Sequence, residues 1–252
     1  MKKIVLVSGA TSGIGASCAH KFASAGYRVI LCGRRSERLS ALKQKLVSLY
    51  GENFFTLTFD IRSREQVFNA INSLPAEWEN TDVLINNAGL ALGLSSLQDG
   101  SIDHWEQMID TNVKGLLYLT KAVVGQMIER KSGHVINIGS IAGRQAYANG
   151  NVYCATKAAV DSLTKSMRID FLPYNIKVSQ VAPGAAETEF SIVRFEGDQQ
   201  RAADVYKGYT PLSADDVADA VLYLASLPPH VNVNDMLLMP TAQACAGIIH
   251  KE

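Results

Sequence analysis

Ile4-Val5-Leu6-Val7-Ser8-Gly9-Ala10-Thr11-Ser12-Gly13-Ile14-Gly15 decides how the rest of the chain is read. Four apolar residues in a row, without alternation, suit a strand buried on both faces. Glycines follow at G-x-x-x-G-x-G spacing, and a helical pattern opens at Ile14. A strand, a glycine turn and a helix in that order expose N–H groups at a helix N-terminus, where a phosphate is favoured, and glycine lets the backbone approach it. The spacing is that of a dinucleotide-binding turn, with Gly9, Thr11, Ser12, Gly13, Ile14 and Gly15 facing the cofactor. A plain strand-to-helix turn is the alternative; a nucleoside-triphosphate loop is disfavoured because no Gly-Lys-Ser/Thr follows.

Outward from this turn, short β-rich runs alternate with longer helical patterns. The runs are Ile4–Val7, Arg28–Cys32, Phe54–Phe59, Val83–Asn86, His134–Ile138, Lys177–Val181 and Met236–Met239. Helical segments lie near Ile14–Ala25, Glu37–Tyr50, Arg64–Leu74, Trp105–Ile109, Val113–Arg130, Val152–Leu172 and Ala214–Ser226. Such alternation predicts an α/β, Rossmann-type doubly wound parallel sheet of about seven strands with helices on both faces. The 252 residues suit a single domain over 1–252. Residues 185–211 carry no clean period and follow a strand's carboxyl end, so they read as a substrate lid or a helix pair.

Composition excludes several function classes. Lys plus Arg and Asp plus Glu both number 24, so no net field draws the protein to nucleic acid or an acidic membrane. Cys18, Cys32, Cys154 and Cys245 show no C-x-x-C pairing, and neither they nor the histidines have metal-ligand spacing. The expectation is no metal site, and reduced thiols in a cytoplasmic protein. The apolar run after Met1-Lys2-Lys3 stops at Ser8, too short for a signal peptide, and no run is long enough to span a membrane.

The second strand ends Cys32-Gly33-Arg34-Arg35, where an NAD enzyme places a ribose-binding carboxylate. Here Arg34 and Arg35 offer forked guanidinium groups suited to a 2′-phosphate, and hence NADP(H). Solvated arginines are the bland alternative. Asp60, with Ile61 beside it, is placed either to accept from an adenine amino group or to cap the helix near Arg64. Tyr153 and Lys157, four apart on a helix, share one face. An ammonium beside a phenol brings its pKa closer to neutral and fits it to exchange a proton. Ser140, past the strand His134–Ile138, is placed to hydrogen-bond a substrate oxygen. Asn112 reads as a water-holding group leading toward Lys157 or as a helix cap.

Taken in order, Gly9–Gly15, Asn86-Asn87-Ala88-Gly89, Asn112, Ser140, Tyr153, Lys157 and Pro183-Gly184 resemble the short-chain dehydrogenases/reductases over nearly the whole chain. The resemblance implies hydride transfer between nicotinamide and a carbonyl carbon, with Tyr153 exchanging the proton, Ser140 orienting the oxygen and Lys157 also holding the nicotinamide ribose. It implies that Asn87, Ala88, Gly89, Pro183, Gly184 and Thr188 border the cofactor. Further runs, Glu187-Thr188-Glu189-Phe190-Ser191 with Val193-Arg194-Phe195, and His230-Val231-Asn232-Val233-Asn234 with Met239-Pro240-Thr241, resemble the NADP-dependent 3-hydroxy acid (serine or allo-threonine) dehydrogenase subgroup. That implies a small hydroxy acid or semialdehyde substrate and a homotetramer with the tail Thr241 to Glu252 near a subunit contact. A carboxylate on the substrate requires a cation, and the choice among Arg144, Arg194, Arg201 and Lys207 falls on Arg194. Alternatives are a broad NADPH reductase of neutral ketones and a non-catalytic NADP-binding scaffold.

Overall fold

A computed structural model describes residues 2–252. Seven parallel strands form one sheet in the order β3-β2-β1-β4-β5-β6-β7: β1 Ile4–Ser8, β2 Arg28–Gly33, β3 Phe54–Thr58, β4 Val83–Asn86, β5 Gly133–Ile138, β6 Ile176–Pro183 and β7 Asp235–Leu238. Every residue of β1 is buried, as its unalternating apolar run predicts. Val5 and Val7 point into one core, with Phe22 of α1 (Gly13–Ser24), Leu39 and Leu46 of α2 (Ser36–Tyr50) and Val221 of a late helix. Ile4 and Leu6 point into the other, against Val67 of α3 (Arg64–Asn72) and Leu119 and Met127 of a long central helix. The period of two along one strand thus feeds both layers, and the doubly wound architecture follows.

The chain leaves β1 toward β2 and β3, then returns past β1 to β4. At that reversal the connections that leave the carboxyl ends of β1 and β4 run in opposite directions and open a crevice. A one-turn α4 (Ala76–Glu79) precedes β4, too short to leave a period in the sequence. Ser63, not Asp60, caps α3, accepting from Gln66 N, which removes the capping alternative for Asp60. Nor is Asn112 a cap. Helix α5 (Ile102–Ile109) runs on through a π-turn over Asp110–Gly115 into α6 (Leu116–Arg130), and Asn112 sits within that turn.

Helix α7 (Asn151–Asp170) packs against a short 3-10 turn, Ile141–Gly143, that follows β5. Residues 185–211 contain two short helices, α8 (Glu189–Arg194) and α9 (Gln199–Asp204), and α10 (Ala214–Ser226) follows with a Ser213/Asp216 capping box. The tail forms a small hairpin, β8 (Gln243–Cys245) with β9 (Ile248–Ile249), which the sequence reading lacked. All four cysteines are free thiols, and burial pushes Cys18 up to about 12. Among the described residues no helix is long and apolar enough to cross a membrane and no cluster of ligands suits a metal.

Candidate active site

A cavity of about 490 Å³ opens at the carboxyl ends of the strands, within the ~300–1,000 Å³ usual for a small-molecule site. Its floor is set by Ser8, whose Oγ donates to Ile85 O and accepts from Asn87 N and Ala88 N, while Asn87 Nδ2 donates to Ser8 O at 2.9 Å. These bonds bind the ends of β1 and β4 together. Gly9 adopts φ +66° and Gly13 φ +51°, which favour glycine, and a Cβ on Gly15 would stand 2.3 Å from Gly9 O. The turn therefore presents bare backbone, and Ser12 makes no side-chain cap to α1, leaving the first N–H groups of that helix toward the cavity. Ile14, Ala88, Gly89, Pro183 and Gly184 also line it.

At one end of the cavity stand charges. Arg35 Nη2 donates to Thr11 Oγ1 at 2.6 Å and Ser12 Oγ at 2.9 Å, and Arg34 lies exposed with its nearest acid, Asp60, 3.7 Å away. Asp60 is committed mainly to Arg62, which donates from its backbone and guanidinium. Burial alone raises the Asp60 carboxyl, but the Arg62 hydrogen bonds and the Arg34 charge outweigh it and hold it below the usual range. Ile61 is buried against Gly115.

The other end is built from desolvated groups. Ser140 closes β5 and caps the 3-10 turn, accepting from Ala142 N at 3.1 Å. Its hydroxyl donates to Pro183 O at 3.5 Å and faces Tyr153, one turn before Lys157 on α7, closely enough to favour the phenolate. Tyr153 and Lys157 are both buried, and Lys157 Nζ donates to Ile138 O at 2.9 Å. Burial dominates both groups. It lifts the Tyr153 phenol, Tyr147 adding to the rise against the nearby Ser140 hydroxyl and the Arg194 charge, and it lowers Lys157 to about 8. The sequence expectation that the lysine would bring the phenol toward neutral is not met by the protein alone, because the ammonium sits 6.0 Å from the ring centre and is itself desolvated. Asn112 lies behind them, donating to Leu90 O and Thr156 Oγ1 and accepting from Leu90 N. Both its N–H donors are thus committed, and any water it held would use the second lone pair of Oδ1 or a backbone oxygen.

Of the four cations weighed from the sequence, one lines this end. Arg194 Nη2 donates to the Tyr147 hydroxyl at 2.5 Å, and its guanidinium carbon lies 5.1 Å from the Tyr153 ring centre and 5.3 Å from that of Phe190. Its Nε is buried with no partner. Arg144 turns to Asp235, Arg201 covers Phe195, and Lys207 is exposed. Tyr147 and Gln243 line the cavity without having been singled out in the sequence. The signal for Tyr147 is Gly150, where a Cβ would stand 2.2 Å from the tyrosine ring. Gln243 comes from the tail, accepts from Ala185 N at 2.8 Å and packs where a Cβ on Gly184 would be.

Comparison with known proteins gives a consistent result. Residues 3–199 match the short chain dehydrogenase family. The chain is 48% identical over 250 residues to the NADP-dependent 3-hydroxy acid dehydrogenase YdfG of Salmonella typhi, covering 98% of this chain and 99% of that one. It is 44% identical to sulfoacetaldehyde reductase 2 of Chromohalobacter salexigens, covering 97% and 96%. Among solved structures, the closed form of serine dehydrogenase complexed with NADP+ superposes with a TM-score of 0.94 at 46% identity, covering 99% of this chain and all of that one.

Proposed function

Because the chain belongs to the short-chain dehydrogenase family, we propose that it is an NADP(H)-dependent oxidoreductase that interconverts the 3-hydroxyl and 3-oxo groups of a small 3-hydroxy acid, such as serine, allo-threonine or a 3-hydroxypropionate-type acid. The observation that carries the substrate class is Arg194: its guanidinium lines the cavity against the Tyr153 ring, paired with no carboxylate, and can give an anion charge-assisted hydrogen bonds.

The residues present fit the cofactor. Gly9 and Gly13 line the cavity with bare backbone in the left-handed region that favours glycine. Gly15 packs behind them against Gly9 O where no Cβ fits, and Arg34 and Arg35 line the same cavity as cations available to a 2′-phosphate. Thr11, Ser12, Ile14, Asp60, Ile61, Asn87, Ala88, Gly89, Pro183, Gly184 and Thr188 line the same cavity. When bound, the nicotinamide supplies or accepts a hydride at the substrate carbon. Ser140 holds the substrate oxygen by hydrogen bonding, and Tyr153 passes its hydroxyl proton to that oxygen or takes one back. The Tyr153 phenol is protonated at neutral pH in the free protein and so carries the proton that carbonyl reduction needs, while burial, which raises it, opposes leaving a phenolate behind. Lys157, anchored on Ile138 O with its ammonium 6.0 Å from the Tyr153 ring centre, supplies positive charge on the side of the phenolate that donation leaves behind. Arg194, held by Tyr147, anchors the acid group and so fixes which carbon faces Tyr153.

The test compares NADP+ reduction with 3-hydroxy acids, their methyl esters and neutral alcohols. Preference for the free acids supports the reading; equal use of esters supports a broad carbonyl reductase, and no turnover a scaffold. A sulfonate offers the same guanidinium the same charge, so sulfoacetaldehyde belongs in the reductive panel. The proposed assembly is a homotetramer, supported by exposed Ile102, Ile109, Leu117, Ile169 and Leu172 on α5, α6, the end of α7 and the turn after it. Light scattering that gives a 27.3 kDa monomer would exclude it.

A further inference from the structure

Glu189 opens α8, and its carboxylate reaches across the cavity mouth. Arg38 Nη1 lies 2.8 Å from both its oxygens and Arg35 Nη1 3.2 Å from one. Arg35 is meanwhile held by Thr11 and Ser12 of the glycine-rich turn. One residue earlier, Thr188 covers Gly13, whose Cβ would stand 3.2 Å from the threonine Cβ. Gly13, Arg35, Thr188 and Glu189 all line the cavity, so the first turn of α8 is tied to the far wall by one carboxylate and two guanidinium groups. The helix does not need these bonds to start, because Thr188 caps it, accepting from Phe190 N. Burial alone would raise the Glu189 carboxyl, but the hydrogen bonds and charges of Arg38 and Arg35 outweigh it, so the group is anionic at neutral pH.

We infer that Glu189 and Arg38 are positioning residues that retain the cofactor: α8 cannot swing away from the glycine-rich turn until Glu189 parts from Arg35 and Arg38. This rests on the reading of the cavity as an NADP(H) site. Arg38 does not line the cavity, so an effect of removing it must travel through Glu189. An acid in the first turn of a helix is also favoured by the helix dipole alone. That alternative predicts no role for Arg38.

Release is measured without substrate, by displacing bound NADPH with excess NADP+ and following the loss of its fluorescence, then repeating with NADH. Glu189→Gln and Arg38→Ala are each expected to speed release of both cofactors about three- to fivefold, the scale of exposed but networked ion pairs. The double variant is expected to release no faster than either single one, because both changes break the same latch. High salt should bring wild-type NADH release to the variant rate and leave the variants nearly unchanged. Unchanged release in Arg38→Ala, or effects that multiply in the double variant, overturn the latch. Failure of the wild-type protein to bind NADPH at all overturns the cofactor reading and the latch with it, whereas binding with unaltered release rates removes the latch alone.

Discussion

The two ends of the cavity are built from opposite physics. At the Tyr153 end, side chains are buried, hydrogen bonds to carbonyl and hydroxyl groups rather than ion pairs fix positions, and burial shifts Tyr153 and Lys157. At the Arg34 end, guanidinium and carboxylate groups stand in water, where their attraction is screened and each pair contributes little. A desolvated end can hold reacting atoms in one geometry, while a solvated end can gain and lose a charged ligand without leaving a bare charge in the interior. The difference teaches where sensitivity lies: single-atom changes should matter at one end, ionic strength at the other.

The largest expected effect tests the desolvated end. Tyr153→Phe removes one oxygen, and turnover should fall by about 10²- to 10⁴-fold, with NADPH affinity by fluorescence titration unchanged within about twofold. A comparable loss of affinity would mean that the ends are not separable. Next is Lys157, which titrates at about 8 in the fold against 10.5 in the unfolded chain. Between those values the unfolded state binds more protons, so stability should rise with pH across that window; below 8 both states are protonated and the full burial penalty is present. Lys157→Met lacks this linkage, and the difference in unfolding free energy between the two proteins should change by about 3 kcal/mol from pH 7.5 to 10.5. A flat difference in denaturant titrations would show that the Ile138 carbonyl already offsets the burial.

Arg194 belongs to the desolvated end but carries charge. Its replacement by Ala should cut the preference in kcat/KM for a free acid over its ester by about ten- to a hundredfold, the scale of ~1.5–3 kcal/mol for a hydrogen bond to a charged group. Acid preference that survives would move the anchor elsewhere without touching the proton step. The smallest effect is expected at Arg34, whose side chain is 53% exposed. Arg34→Ala should weaken NADPH about three- to fivefold at low salt, less at high salt, and leave NADH unaffected. An effect that ignores ionic strength would place Arg34 in a drier setting than its exposure indicates.

Legibility divides along similar lines. The strands can be read because burial on both faces leaves unbroken runs such as Val29-Ile30-Leu31 and Val83-Leu84-Ile85. Ser140, Tyr153 and Lys157 can be picked out because they fall in order and spacing with the other motifs of the family, each weak alone, and the fold brings all three to one cavity. What the sequence hides are partnerships between distant segments. Glu189 meets Arg35 from 154 positions away, and Gln243 meets Ala185 across 58. No local period encodes either. The Lys157–Tyr153 spacing reports a shared helix face, yet the sign of the pKa shifts depends on depth of burial, which spacing does not contain.

The π-turn at Asp110–Gly115 can be viewed as an insertion that the helix never expelled. One residue more than an α-helix needs advances everything after it by about 100°, and Asn112 meets Leu90 and Thr156 in that phase. A lineage that deleted a single codon here would regain a regular helix and tighter hydrogen bonding, while rotating α6 out of register with its core and Asn112 away from Leu90 and Thr156. Drift toward better local geometry and retention of the site therefore pull in opposite directions at this one position, and the irregular turn marks which of the two has prevailed.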